Sequence, residues 1–147
     1  MIQQIQDDLK QAIKQGDKLR RSVLRLLLAS IKNEEIARRG PLDEAGILSV
    51  IAKEARKRRE SIEAFKQGNR EDLVMQEEAE LVILLGYLPE QISRDEIVAE
   101  ARKVIGEVEA RGVGDKGKVM SQLMARLKGR ADGREISSVV SELLSSV

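Results

Sequence analysis

Apolar residues recur along this chain at helical spacing from its first turn to its last, and seven helices are predicted from them. Ile2, Ile5, Leu9 and Ile13 mark one face of a first helix from about Ile2 to Gln15, ended by Gly16. Asp17 suits the cap of a second, running to about Arg39, whose buried stripe is Leu19, Val23, Leu26, Leu27 and Ile31, with Leu24 and Leu28 widening it. Gly40-Pro41 stops it. Asp43 caps a third helix carrying Ile47, Leu48, Ile51, Ala55, Ile62 and Phe65, up to Gly68-Asn69. A fourth, acidic helix starts near Glu71, turns Leu73, Leu81, Leu84, Leu85 and Leu88 inward, and ends at Pro89.

Ser93-Arg94-Asp95-Glu96 is a capping box and a restart. The fifth helix carries Ile97, Ala101, Val104, Ile105 and Val108, to Gly112. Asp115 is placed to cap a sixth, with Val119, Met120, Leu123, Met124 and Leu127. After Lys128 to Gly133 comes a seventh, with Ile136, Val139, Val140, Leu143 and Leu144. The pattern gives an all-α protein: a bundle of about four longer helices in residues 1–91 and a small three-helix domain in 92–147. No tandem repeat or low-complexity tract interrupts it.

Composition agrees. Of 147 residues, 41% are apolar, with one Phe, one Tyr and no Trp, a mixture suited to helices rather than sandwich cores. Cys is absent, which excludes disulfides and thiolate chemistry, and so is His, the usual general base and metal ligand. The N-terminus is polar and lacks a basic segment followed by an apolar one, so the chain reads as cytoplasmic, with no membrane association.

Candidate chemistry fares poorly on spacing. Gly112, Gly114 and Gly117 match the letters of G-x-G-x-x-G, and Gly117-Lys118 those of a P-loop, but both motifs need a preceding strand. The P-loop also needs a hydroxyl where Val119 stands. A glycine-rich turn between helices is the better reading. Glu34-Glu35 and Glu77-Glu78 point ~100° apart on their helices and do not converge on one ion. The serines from Ser137 to Ser146 have no His to activate them. No catalytic residue, cofactor or metal is predicted.

Charge is the informative feature. The chain is nearly neutral, 26 basic against 25 acidic residues, but the signs are segregated. Residues 71–90 hold six acids and no base, Lys53 to Arg59 five bases and one acid, and Arg111 to Arg134 seven bases and two acids. Basic segments with glycines suit a phosphate backbone, and the lack of aromatics there points to a folded RNA rather than stacked single-stranded bases.

Several segments carry a family resemblance. Tyr87-Leu88-Pro89-Glu90-Gln91, followed by Ser93-Arg94-Asp95-Glu96, resembles a signature of the YqeY family. So do the run from Gly117-Lys118-Val119-Met120 to Met124, and Lys128-Gly129-Arg130-Ala131-Asp132-Gly133. Gly16-Asp17-Lys18, Asn33-Glu34 and Gly68-Asn69-Arg70 also fit, so the match spans essentially the whole chain. The resemblance implies a long-helix domain joined to a small one similar to the tail of the tRNA-dependent amidotransferase B subunit, which contacts tRNA. It also brings a label of carbon–nitrogen ligase activity with glutamine as donor. That activity is not carried over, because a shared fold does not transfer chemistry. The expectation is a non-catalytic tRNA- or RNA-associated protein. It would use Lys116, Lys118, Lys128 and Arg130 for phosphates, Arg126 and Arg134 as flanking charges, and Gly129 for close main-chain approach. Asp132 stands where the tail has Asn. The alternative is a protein–protein adapter acting through Lys53 to Arg59 or the acidic fourth helix.

Overall fold

The structure is a computed structural model that describes residues 1–146. Its α-helices are α1 (Ile2–Gln15), α2 (Lys18–Arg38), α3 (Glu44–Gln67), α4 (Glu71–Leu85), α5 (Arg94–Val108), α6 (Lys116–Leu127) and α7 (Gly133–Ser145), with a 3-10 turn at Val113–Asp115. No strand occurs among the described residues. The fold is all-α, and the chain divides into two compact units, Met1–Pro89 and Glu90–Val147.

Helix starts follow the expected chemistry. The side chains of Asp17, Asp43, Ser93 and Asp132 accept from the backbone N–H of Arg20, Gly46, Glu96 and Arg134. Asp115 is the exception. Its carboxylate turns back to accept from the Arg111 N–H at 2.9 Å, and the first turn of α6 has no side-chain cap. The helix ends reuse one device. After α1, α2, α3 and α5 a residue in the left-handed region donates three residues back, and its successor donates five back. Glycine fills that position only after α1, at Gly16. Arg39, Asn69 and Glu109 fill the others, so α5 stops before Gly112 rather than at it.

In the N-terminal unit α1 packs on α2, α3 on α4, and α2 against both α3 and α4. Ile5, Leu24, Leu27, Ile51 and Leu84 are almost fully buried there. The predicted stripe of α2 shifts: Val23, Leu24, Leu27 and Ile31 face the core, while Leu26 is 49% exposed. Residues 24 and 26–28 are leucine, so periodicity does not fix the inward face, and the neighbouring helices do. Ile13 is likewise exposed and Ala12 buried in its place. On α4 Val74 and Leu84 are buried and Leu73, Leu81 and Leu85 half-buried, as is Leu88 beyond its end. This helix ends at Leu85 and a tight turn leads to Pro89. No described helix is long and apolar enough to cross a membrane.

In the C-terminal unit each of α5, α6 and α7 packs against the other two. Ile97, Ala101 and Val104 from α5, Val119, Leu123 and Leu127 from α6, and Ile136, Val139, Val140 and Leu144 from α7 form its core. Met124, expected inside, is 44% exposed.

Candidate nucleic-acid interface

The basic residues singled out from sequence lie on the C-terminal unit, and α6 divides them. Its 12 residues span about 18 Å at 1.5 Å per residue. Lys116 and Lys118 sit in its first turn, Lys128 and Arg130 beyond its last.

At the N-terminal end, Asp115 is engaged by the Arg111 N–H, which leaves the first amides of α6 without a capping side chain and brings Arg111 to the same end. The 3-10 turn takes the Asp115 and Lys116 amides, which donate to the Gly112 and Val113 carbonyls, and the helix dipole with the amides that follow makes such an end attractive to an anion. The space beside Gly112, Gly114 and Gly117 is open: a Cβ built at any of them meets nothing within 4 Å. Arg111 and Lys118 are exposed, Lys116 is half-buried, and none of the three side chains forms an ion pair among the described residues. Arg111, counted in the basic segment, was not among the seven candidate contacts. The signal for it is its place at the start of the basic segment from Arg111 to Arg134.

The opposite end is built differently. Gly129 has φ 77, a left-handed conformation that suits glycine. The loop it turns is tied to the segment entering the unit. The Gln91 side chain donates to the Gly129 carbonyl at 2.8 Å, the Ile92 N–H to the Arg130 carbonyl at 3.0 Å, and Arg130 Nε to the Glu90 carbonyl at 3.2 Å. Gly129 and Arg130 are therefore half-buried parts of a closed turn rather than an open cradle. Lys128 projects from it, exposed and without an ion pair among the described residues. Asp132 caps α7 by accepting from the Arg134 N–H at 3.1 Å, which gives that acid a structural role, and Arg134 is exposed in the first turn of α7.

Arg126 is engaged elsewhere. Its guanidinium bonds the Glu107 carboxylate and lies 3.7 Å from Glu100, both on α5. The hydrogen bond to Arg126 holds the Glu107 carboxyl below its ordinary range. Of the seven residues proposed from sequence, Lys116 and Lys118 share one end of α6, while Lys128, Gly129, Arg130 and Arg134 share the other. Arg126 is spent on α5. Among the described residues no group of three or more Asp or Glu side chains is placed to hold a metal ion.

The family model for Yqey-like proteins matches residues 2–144. The chain belongs to this family. Curated relatives include the proteins named "Altered inheritance of mitochondria protein 41, mitochondrial" of three fungi. The one from Pyrenophora tritici-repentis is 30% identical over 99% of this chain and 82% of its own length. That of Lachancea thermotolerans is 37% identical over 73% of this chain and 59% of its own. The protein of Eremothecium gossypii is 34% identical over 72% and 60%. The alignments thus span about three-fifths of the length of these last two relatives. Their names overturn the cytoplasmic expectation, since all three are mitochondrial proteins. A polar first segment does not distinguish a cytoplasmic chain from one imported into an organelle.

Proposed function

We propose that this family member binds the phosphate backbone of a folded RNA, tRNA foremost, without catalysing a reaction on it. The observation that carries the reading is the N-terminal end of α6. There Arg111, Lys116 and Lys118 flank an uncapped helix start among glycines that leave the backbone accessible. Lys128 and Arg134 supply a second contact about one α6 length away, a spacing suited to two phosphates rather than one. The similarity of this small domain to the amidotransferase tail supports tRNA as the RNA to try first. The adapter reading loses part of its footing, because Arg58 of the basic run lies 3.3 Å from Glu80 and 3.7 Å from Glu77 within the same unit.

The test is fluorescence anisotropy with total tRNA at two salt concentrations. Binding should fall steeply with salt, and Lys116→Glu with Lys118→Glu should weaken it at least tenfold and lower the salt slope by about 2. Lys128→Glu should cost less, and Arg126→Gln little. Absence of binding at low salt, or equal loss from every charge change regardless of position, would overturn the assignment.

A further inference from the structure

The three most exposed large hydrophobic residues of the described chain, Met75, Val82 and Ile36, lie on two helices of the N-terminal unit. On α4, Met75 and Val82 are each 69% exposed and fall with exposed Ala79 inside a ~60° arc. The opposite side of α4 carries Val74 and Leu84 into the core, so this helix is apolar on two faces, the pattern of a helix lying between two layers. On α2, Leu26 at 49% and Ile36 at 65% line up with exposed Ala29 in a ~80° arc, opposite that helix's buried face.

The borders of the two stripes carry opposite charge. Glu71 and Glu78 edge the α4 stripe, and Arg25 and Lys32 edge that of α2. All four are exposed and form no ion pair among the described residues, whereas the inward acids Glu77 and Glu80 are held by Arg58. Pairing α4 with another α4 would set acid against acid, and α2 with α2 base against base. Only α4 on α2 matches both the apolar strips and their borders. Ala79 and Ala29, small residues within the stripes, let two helix axes approach to the ~8 Å lower end of helix packing.

We infer that the α4 stripe of one copy docks on the α2 stripe of a second copy, so that the chain self-associates through its N-terminal unit. The contact joins two different faces, so it closes where both copies use it reciprocally and otherwise extends. Apolar burial drives it, and the charged borders select the pairing and make it weaken with salt.

Sedimentation velocity of the nuclease-treated full chain over a wide concentration range tests this independently of the RNA reading. The sedimentation coefficient should rise with concentration. Met75→Lys with Val82→Lys should abolish the rise while leaving the helical circular dichroism unchanged. Glu71→Lys with Glu78→Lys, and separately Arg25→Glu with Lys32→Glu, should each weaken association. Mixing these two charge variants should restore it, because a basic α4 then meets an acidic α2. The chain has no cysteine, so Ala29→Cys mixed with Ala79→Cys should cross-link on oxidation faster than either alone. A wild type that stays monomeric, a Met75/Val82 variant that associates like wild type, or a charge-variant mixture that stays apart would each overturn the proposal.

Discussion

Among the described residues the C-terminal unit, Glu90–Val147, buries twelve apolar residues; the N-terminal unit, half as long again, buries fourteen. The difference lies in closure. In the smaller unit every helix packs against both others, and among the described residues the large apolar side chains left outside are Val113 and Met124. In the larger one α1 packs chiefly on α2, and Leu26, Ile36, Met75 and Val82 stay about half exposed or more. Its interior also holds charge: Glu54 is buried, accepting from the Ser30 hydroxyl at 3.1 Å, and Arg58 sits between Glu77 and Glu80. The small unit thus spends its apolar residues internally and presents charge. The large one keeps part of its apolar surface for something outside itself.

Core truncations give the largest effects and break the comparison if they fail. Leu123→Ala and Leu24→Ala each remove a side chain with no exposed area and should destabilise by about 3 kcal/mol in urea unfolding. Leu26→Ala, two positions from Leu24 and equally apolar in sequence, should change stability by under about 0.5 kcal/mol in dilute solution. A cost at Leu26 equal to that at Leu24 would place the α2 surface inside the core and remove the contrast.

Next in size is the charge cluster between α3 and α4. Arg58 Nε and Glu77 Oε2 are buried atoms that make no hydrogen bond, so ion pairing alone offsets their desolvation. Arg58→Ala leaves two neighbouring carboxylates unpaired and should cost about 2 kcal/mol, less than a fully buried pair because the side chains keep some exposure. Burial, with Glu80 beside it, raises the Glu77 carboxyl above its ordinary value despite Arg58. The folded state therefore holds that proton more tightly than the unfolded one. Glu77's contribution is most favourable below the unfolded value and is lost as pH rises through the folded value. Glu77→Gln should be at least as stable as wild type at neutral pH, with its advantage shrinking toward acid. Urea midpoints at two pH values decide it, and a variant less stable at neutral pH would show that the pair with Arg58 outweighs burial.

Helix existence was legible because apolar periodicity runs through every segment, and Asp or Ser caps mark the starts of α2, α3, α5 and α7. Which way a helix faces was legible only where its apolar face was narrow. The buried sets of α5 and α7 follow their patterns, while the leucines around Leu26 left α2 undetermined until its neighbours were placed. The candidate site was legible as composition and not as geometry. Seven residues close in sequence fall at two ends of a helix, and Arg126 is captured by Glu107, a partner 19 residues earlier that no local pattern reveals. Gln91, which the resemblance marked only as part of a motif, holds the Gly129 turn. Such a contact joins positions 38 residues apart, beyond the reach of any periodicity.

The smallest effect concerns how the large unit is fastened at its end. Where Gln91 ties the small unit's entry through main-chain carbonyls, Tyr87 closes the large one through a charge: its hydroxyl donates to Asp8 of α1, which also lies 3.7 Å from Arg20 of α2. Burial, then the bond to Asp8, pushes the Tyr87 phenol up to about 12 from 10.0. A raised phenol stabilises the fold fully below the unfolded value, and that contribution disappears as pH climbs from about 10 to about 12. Tyr87→Phe should lose about 1 kcal/mol at neutral pH, the worth of one hydrogen bond to a charged partner offset by the retained ring. It should also flatten the alkaline limb of the stability profile in that window. Urea unfolding from neutral pH to the onset of alkaline denaturation measures both. If the variant lost stability at neutral pH but kept the full alkaline slope, the titrating group would be another one, and the bond to Asp8 would act through packing alone.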